Sequence, residues 1–148
     1  MADDTSALAR DTGAISQLIY RFFNAMDRRD WQIVRACLCD EILVDYRDLR
    51  GDPPSRITAD EYVRKRIEAL TPLMTQHLSS NHVITVEGGR ARCESQMVIY
   101  RRQGEQTFTT HCLYEHTLCR SAGGWQIDGI RQRVWWNSGD SSIHSGAQ

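Results

Sequence analysis

Three short turn stretches, Glu87-Gly88-Gly89-Arg90, Gln103-Gly104-Glu105 and Ser121-Ala122-Gly123-Gly124, divide the second half of this chain into four long runs. The runs Thr75 to Val86, Ala91 to Arg102, Thr107 to Arg120 and Trp125 to Trp136 are each about a dozen residues long, the length and punctuation of strands. Strands of that length joined by glycine-bearing turns form an antiparallel meander, and they must twist and curl. The stretches before them carry helical periodicity instead. Helices first and sheet last imply an α+β domain: N-terminal helices cover the concave face of a curved antiparallel sheet and leave a pocket at its open end.

From Asp11 to Met26 the residues Ile15, Leu18, Ile19, Phe22, Phe23 and Met26 recur at helical spacing, with Asp11 or Thr12 as N-cap. Asp27 follows one turn beyond Phe23, at a helix end that disfavours an anion. It reads either as a turn aspartate paired with a neighbouring arginine or as the partner of a distant group. Asp30 can cap a second short helix carrying Trp31, Val34 and Leu38. Glu41 to Arg47 changes to the strand period, with Ile42, Val44 and Tyr46 on the inward side. A tyrosine so placed packs with its hydroxyl tied to a partner, whether or not it has a further role. Gly51-Asp52-Pro53-Pro54 ends that unit, and Thr58-Ala59-Asp60-Glu61 opens a helix with the stripe Val63, Ile67 and Leu70, which Pro72 stops. No repeat or linker divides the 148 residues. They read as a single domain with an ordered core from about 11 to 139 and a polar, mobile tail over 140–148.

The 18 basic and 19 acidic residues are interspersed and sum to −1, so no surface for nucleic acid or membrane is indicated. No apolar run approaches a membrane span, the N-terminus lacks the pattern of a signal peptide, and a cytoplasmic location is expected. Five cysteines at 37, 39, 93, 112 and 119 show no metal or redox spacing and read as reduced, mostly buried thiols. Simple alternation splits His77 from His82, and His111 from His116, onto opposite faces, so no metal site is expected. Trp135 and Trp136 likewise face opposite ways, one into the core. Neither glycine pair matches a phosphate-binding loop. What remains is His77, early in a strand, with Asp27 and Tyr46 as candidate companions. A neutral imidazole can take a proton near pH 7 if a partner fixes which nitrogen is free, although a strand histidine can equally be structural.

The succession Ala25-Met26-Asp27-Arg28-Arg29-Asp30-Trp31, Val44-Asp45-Tyr46-Arg47, Thr75-Gln76-His77, Gly124-Trp125-Gln126-Ile127 and Val134-Trp135 resembles scytalone dehydratase, of the SnoaL-like group in the nuclear transport factor 2-like, cystatin-like superfamily. The resemblance implies a conical barrel, a curled sheet around a long helix with a deep apolar pocket. It implies a dehydratase that removes water from a hydroxylated cyclic ketone with no metal or organic cofactor. His77 would act as acid and base, oriented by Asp27, and Tyr46 would polarise the carbonyl. The family's second tyrosine falls at Met26. Its second histidine, serine and asparagine fall at Tyr100, Cys112 and Tyr114, so these four positions would line a rewritten substrate pocket. The substrate would be a small apolar cyclic or aromatic hydroxy-ketone, and the assembly a homotrimer or a dimer. An enolising isomerase or polyketide cyclase, and a non-catalytic subunit like the small β subunit of ring-hydroxylating dioxygenases, stand as alternatives.

Overall fold

The computed structural model describes residues 2–144. Helix α1 (Ala2–Arg28) is followed by α2 (Trp31–Ala36), β1 (Leu38–Asp45), α3 (Arg47–Arg50), β2 (Ser55–Thr58) and α4 (Ala59–Leu70). The meander then runs β3 (Met74–Glu87), β4 (Arg90–Gln103), β5 (Gln106–Ser121) and β6 (Gly124–Gly139), and ends in a 3-10 turn over Ser141–Ile143. All six strands share one sheet in the order β2-β1-β6-β5-β4-β3. The four-strand meander is therefore extended by two strands, and one pair is not antiparallel: β1 runs parallel to β6. The sequence does not announce β2 because it is a four-residue, largely exposed edge strand without alternation.

Helix α1 starts thirteen residues before Ile15, the first residue of its apolar stripe. Its first turns are exposed and held by helix-favouring residues, with Asp3 and Asp4 complementing the positive end of the dipole. Beyond Asp11 the stripe lies as its spacing dictates: Ile15, Leu18, Ile19, Phe22, Phe23 and Met26 are buried. They pack against β3 and the inward faces of the sheet. Burying side chains of this size contributes about 1.5–3 kcal/mol each before entropy is counted, so this face anchors the helix in the sheet's concavity. Asp30 accepts from the Ile33 N–H, and Thr58 accepts from the Glu61 N–H, as their caps require.

The inward stripe of α4 is rotated from the expected one. Tyr62, Arg66, Ala69 and Leu70 are buried, Val63 is half-buried and Ile67 is exposed. The covered face carries a tyrosine and an arginine, so hydropathy marks the wrong side. Trp135 and Trp136 also depart from alternation: they are 53% and 54% exposed, and neither enters the core. The partner strand passes from His111, opposite Trp136, to Cys112, opposite Val134, leaving Trp135 as an extra residue that breaks the period. Trp136 stacks on the outward His111 ring at 4.1 Å.

Five residues of the expected mobile tail are built into the fold. Gly139, at φ 92°, turns the chain so that the Asp140 N–H bonds Thr107 O at 2.8 Å. Asp140 then caps the 3-10 turn, and Ile143 and His144 are buried. Residues 145–148 of that expected tail lie outside the described residues. Cys37, Cys93 and Cys112 are buried, whereas Cys39 and Cys119 are half-buried with their sulfurs 2.9 Å apart. Among the described residues no helix is long and apolar enough to cross a membrane.

Candidate functional site

Helix α1 ends through Arg29, whose φ of 63° is left-handed. The Arg29 N–H bonds Met26 O and the Asp30 N–H bonds Ala25 O, the paired closure usually made with glycine. Arginine holds this conformation because its guanidinium fastens the helix end to the following chain. It donates to Met26 O, Leu70 O, Leu73 O and Thr75 Oγ1, at 2.5–2.9 Å. The carboxylate of Asp27 is thereby aimed across at β3.

Asp27 then explains its own unfavourable place in the last helical turn. Oδ2 accepts the His77 backbone N–H at 2.7 Å, and Oδ1 accepts the Thr75 hydroxyl at 2.9 Å. Oδ1 also lies 2.6 Å from His77 Nδ1. An ionised carboxylate only accepts, so Nδ1 carries the proton and Nε2 holds the lone pair. The ring stacks on Phe23, with centroids 5.1 Å apart. Burial draws the His77 pKa below the ordinary histidine value, against the upward pull of the Asp27 hydrogen bond and charge. The ring is neutral at pH 7, and among the described residues no hydrogen bond occupies Nε2.

His77 opens onto a cavity walled by Phe23, Met26, Tyr46, Leu49, Tyr62, Arg66, Leu70, Ile99, Arg101, Tyr114, Gln132 and His144. It encompasses about 350 Å³ of space between atoms, the open space at its mouth included. The C-terminal turn supplies His144 as part of its wall. A second cavity, about 450 Å³ and bordered by Arg50, Asp52, Lys65 and others, shares Tyr46, Tyr62 and Arg66 with it. Those three side chains form the partition between an outer vestibule and the inner chamber.

Tyr46 reaches this partition by a different route from the expected one. The strand ends at Asp45, and Tyr46 stands at the N-cap of α3. Its hydroxyl lies 3.0 Å from the Tyr62 hydroxyl. Of the four expected pocket positions, Met26 and Tyr114 line the cavity, and Gln132 Nε2 donates to the Tyr114 hydroxyl at 3.2 Å. Cys112 is buried behind that wall, its sulfur 3.8 Å from Gln132 Nε2. Tyr100 is not in the pocket: it is 46% exposed on the outer face of β4. Ala91, Cys93, Met97 and Ile99 set the inward parity of that strand, so its pocket residue is the neighbour, Arg101. That signal was present in the sequence. So was the i, i+4, i+8 series Tyr62, Arg66, Leu70 on α4. Nothing marked His144, which lies beyond the last strand.

The histidine pairs behave unequally. A bulge in β3 between Ser80 and Val83, with Asn81 at φ 54°, returns His82 to the inward face that His77 occupies, contrary to simple alternation. Both of its ring nitrogens are engaged, Nδ1 with Ser16 Oγ at 3.0 Å and Nε2 with Ser79 Oγ at 2.7 Å. His111 and His116 do lie on opposite faces. His116 is fully buried between Phe22, Phe23 and Tyr114, with neither nitrogen bonded among the described residues, and burial pushes its pKa down to about 3. Among the described residues no group of three or more His, Cys, Asp or Glu side chains is placed to hold a metal ion.

The SnoaL-like domain family matches residues 7–131 of the chain. The scytalone dehydratase-like protein Arp1 of Metarhizium guizhouense is 22% identical over 149 residues, spanning 90% of this chain and 86% of that protein. Among solved structures, the Kfla4162 protein of Kribbella flavida superposes with a TM-score of 0.88 at 17% identity, over 92% of this chain and 97% of that one. An NTF2-like protein with a cystatin-like fold from Novosphingobium aromaticivorans gives a TM-score of 0.75 at 15% identity, over 90% and 88% of the two chains.

Proposed function

The chain belongs to the SnoaL-like domain family and has the nuclear transport factor 2-like, cystatin-like fold, and on that footing we propose that it is a lyase removing water from a small hydroxylated cyclic ketone. The observation that carries this reading is the Asp27–His77 contact at 2.6 Å, with His77 on the wall of the chamber. In the reaction, Nε2 takes the proton α to the carbonyl, and its electron pair moves to the carbonyl oxygen as an enolate forms. Asp27 supports the imidazolium. The Tyr46–Tyr62 hydroxyl pair donates to the enolate oxygen. Burial raises the Tyr62 pKa well above the ordinary tyrosine value, so this hydroxyl remains protonated at neutral pH. The enolate then collapses, the β carbon–oxygen bond breaks, and His77 returns its proton to the departing hydroxide. Water leaves, a carbon–carbon double bond remains, and His77 is neutral again.

Tyr62 supplies a second hydroxyl where the helix offers only Met26. Such a hydroxyl pair can hold an oxygen more firmly than one phenol, because the second polarises the first. The depressed His77 pKa suits the second half of the cycle, where the imidazolium must surrender its proton. The dehydratase-like relative supports elimination as the reaction class.

The test is turnover of a panel of β-hydroxy cyclic ketones, followed by enone absorbance, with His77→Ala and Tyr46→Phe alongside. Elimination by the wild type that falls by about 10²–10⁴ in His77→Ala sustains the proposal. Exchange of the α-hydrogen for solvent deuterium without loss of water from any member replaces elimination with an isomerising or cyclising enolate reaction. Turnover undiminished in His77→Ala removes His77 from the chemistry.

A further inference from the structure

Among the described residues, two buried cations in the wall of the inner chamber have no carboxylate in an ion pair with them. Arg66 of α4 is 9% exposed and Arg101 of β4 is 4% exposed, and both line the cavity with His77. Among the described residues neither takes part in an ion pair. Arg101 is partly held: Nη1 donates to Thr110 Oγ1 at 2.8 Å, and the guanidinium lies 5.0 Å from the Phe108 ring centroid. Arg66 makes no hydrogen bond among the described residues. Its guanidinium sits 5.4 Å from the Tyr46 ring centroid and 5.6 Å from that of Tyr62, and Nε is buried without a partner.

Guanidinium cannot shed its charge to escape burial as lysine can. Burial, followed by the charges of Arg66 and Arg50, pushes the Arg101 pKa down to about 10, still cationic at neutral pH. Arg50, and Lys65 with Glu61 Oε1 3.4 Å from its ammonium, lie along the adjoining vestibule, where Asp52 is the acidic residue on the wall. Two like charges held inside one chamber are strongly unfavourable unless an anion joins them. The chamber offers further unfilled polar positions beside them, at Gln132 Oε1 and His144 Nδ1. Its remaining wall is apolar, with Phe23, Met26, Leu49, Leu70 and Ile99. Apolar side chains of this kind are the surface a ring packs against once they part to admit it, and a planar carboxylate matches the planar fork of a guanidinium.

We infer that Arg66 and Arg101 form a carboxylate-binding subsite, and that the substrate is a small cyclic or aromatic carboxylic acid whose ring lies against the apolar wall before His77. This deepens the proposed elimination and rests on it for the identity of the reacting ring. The vestibule, with Arg50 on its wall, draws the anion in, and Arg66 stands at the partition to receive it.

Binding of benzoate and of the neutral, near-isosteric benzamide to the full chain at pH 7, measured by calorimetry, tests the subsite without any turnover. Benzoate is expected to bind at least about tenfold tighter than benzamide, as charge-assisted pairing over neutral hydrogen bonding requires. That ratio is expected to fall close to one in Arg66→Gln and in Arg101→Gln, and to persist in Tyr100→Phe, outside the chamber. Circular dichroism confirms that each variant is folded. Arg66→Gln decides the matter if Arg101→Gln does not fold, since Arg66 makes no hydrogen bond to lose. Equal binding of the two probes by the wild type, or an unchanged ratio in folded Arg66→Gln, overturns the inference. Sulfate competing as well as benzoate overturns it in favour of a simple inorganic-anion site. A protein that prefers benzoate but eliminates water from no hydroxy-ketone refutes the elimination and keeps the subsite. Elimination from neutral ketones with no benzoate preference does the reverse.

Discussion

Replacing Asp27 with asparagine exchanges one carboxylate oxygen for an amide NH2, and the surrounding donors decide which one. The His77 backbone N–H lies 2.7 Å from Oδ2 and cannot turn away, so it claims the remaining carbonyl oxygen. The NH2 must then occupy the Oδ1 position, 2.6 Å from His77 Nδ1 and 2.9 Å from Thr75 Oγ1. An NH2 there donates to Nδ1 and forces the proton onto Nε2, which removes the lone pair from the chamber. The opposite amide orientation sets two N–H groups against each other and leaves a buried donor unpaired, at about 1–3 kcal/mol. That penalty alone keeps the Nε2–H tautomer about fivefold or more in excess, since about 1.4 kcal/mol is tenfold. Elimination should fall by about 10²–10⁴, the usual worth of a positioned acid–base group. Stability should fall by about 1.5–3 kcal/mol for the lost charge-assisted bond, offset by a few tenths as an anion leaves the helix C-terminus. Long-range nitrogen–proton NMR of the ring reads the tautomer without any substrate. A wild-type Nδ1–H pattern in Asp27→Asn, or activity within about threefold of wild type, where a lost general base predicts at least a hundredfold, refutes the reasoning.

His116→Leu should alter how stability depends on pH. The pKa of His116 is depressed by burial to about 3, so the unfolded chain binds the extra proton between about pH 6.5 and 3 and stability falls as the pH falls. Removing the group should flatten the slope of unfolding free energy between pH 6 and 4 by up to about 1.4 kcal/mol per pH unit, measured by urea titration at each pH. Arg29→Ala should destabilise by about 2–3 kcal/mol through the loss of its charged bonds to Leu70 O and Leu73 O. Arg29→Gly should be milder by about 1 kcal/mol, because the left-handed backbone then carries no strain; equal urea midpoints for the two would show that φ is not a burden there. In Gly139→Ala the new Cβ would lie 2.2 Å from Thr107 O at a φ of 92°. A loss of about 2 kcal/mol or more is expected, with faster amide exchange at Ile143 and His144 as the turn that walls the chamber loosens.

The sequence by itself determined the elements whose signal is local. The α1 stripe, the Asp30 and Thr58 caps and the glycine turns of the meander needed no distant partner to be read, because 3.6-residue periodicity, capping oxygens and left-handed turns are set within a few residues. It also brought Asp27, Tyr46 and His77 forward as companions, partly through family resemblance, and the structure puts Tyr46 and His77 in the wall of one chamber with Asp27 bonded to His77. Tertiary structure alone decided which faces looked inward. A bulge moved His82 to the side of His77, another left both tryptophans outside, and strand parity put Arg101 rather than Tyr100 in the chamber. The inward face of α4 carries Tyr62 and Arg66, which hydropathy assigns to solvent, because a cavity wall rewards hydrogen bonding and charge rather than apolar area. His144 became part of that wall only because Gly139 turns the chain back onto Thr107. No local pattern encodes that closure, since its partners lie more than thirty residues apart and meet only when β5 and β6 are paired.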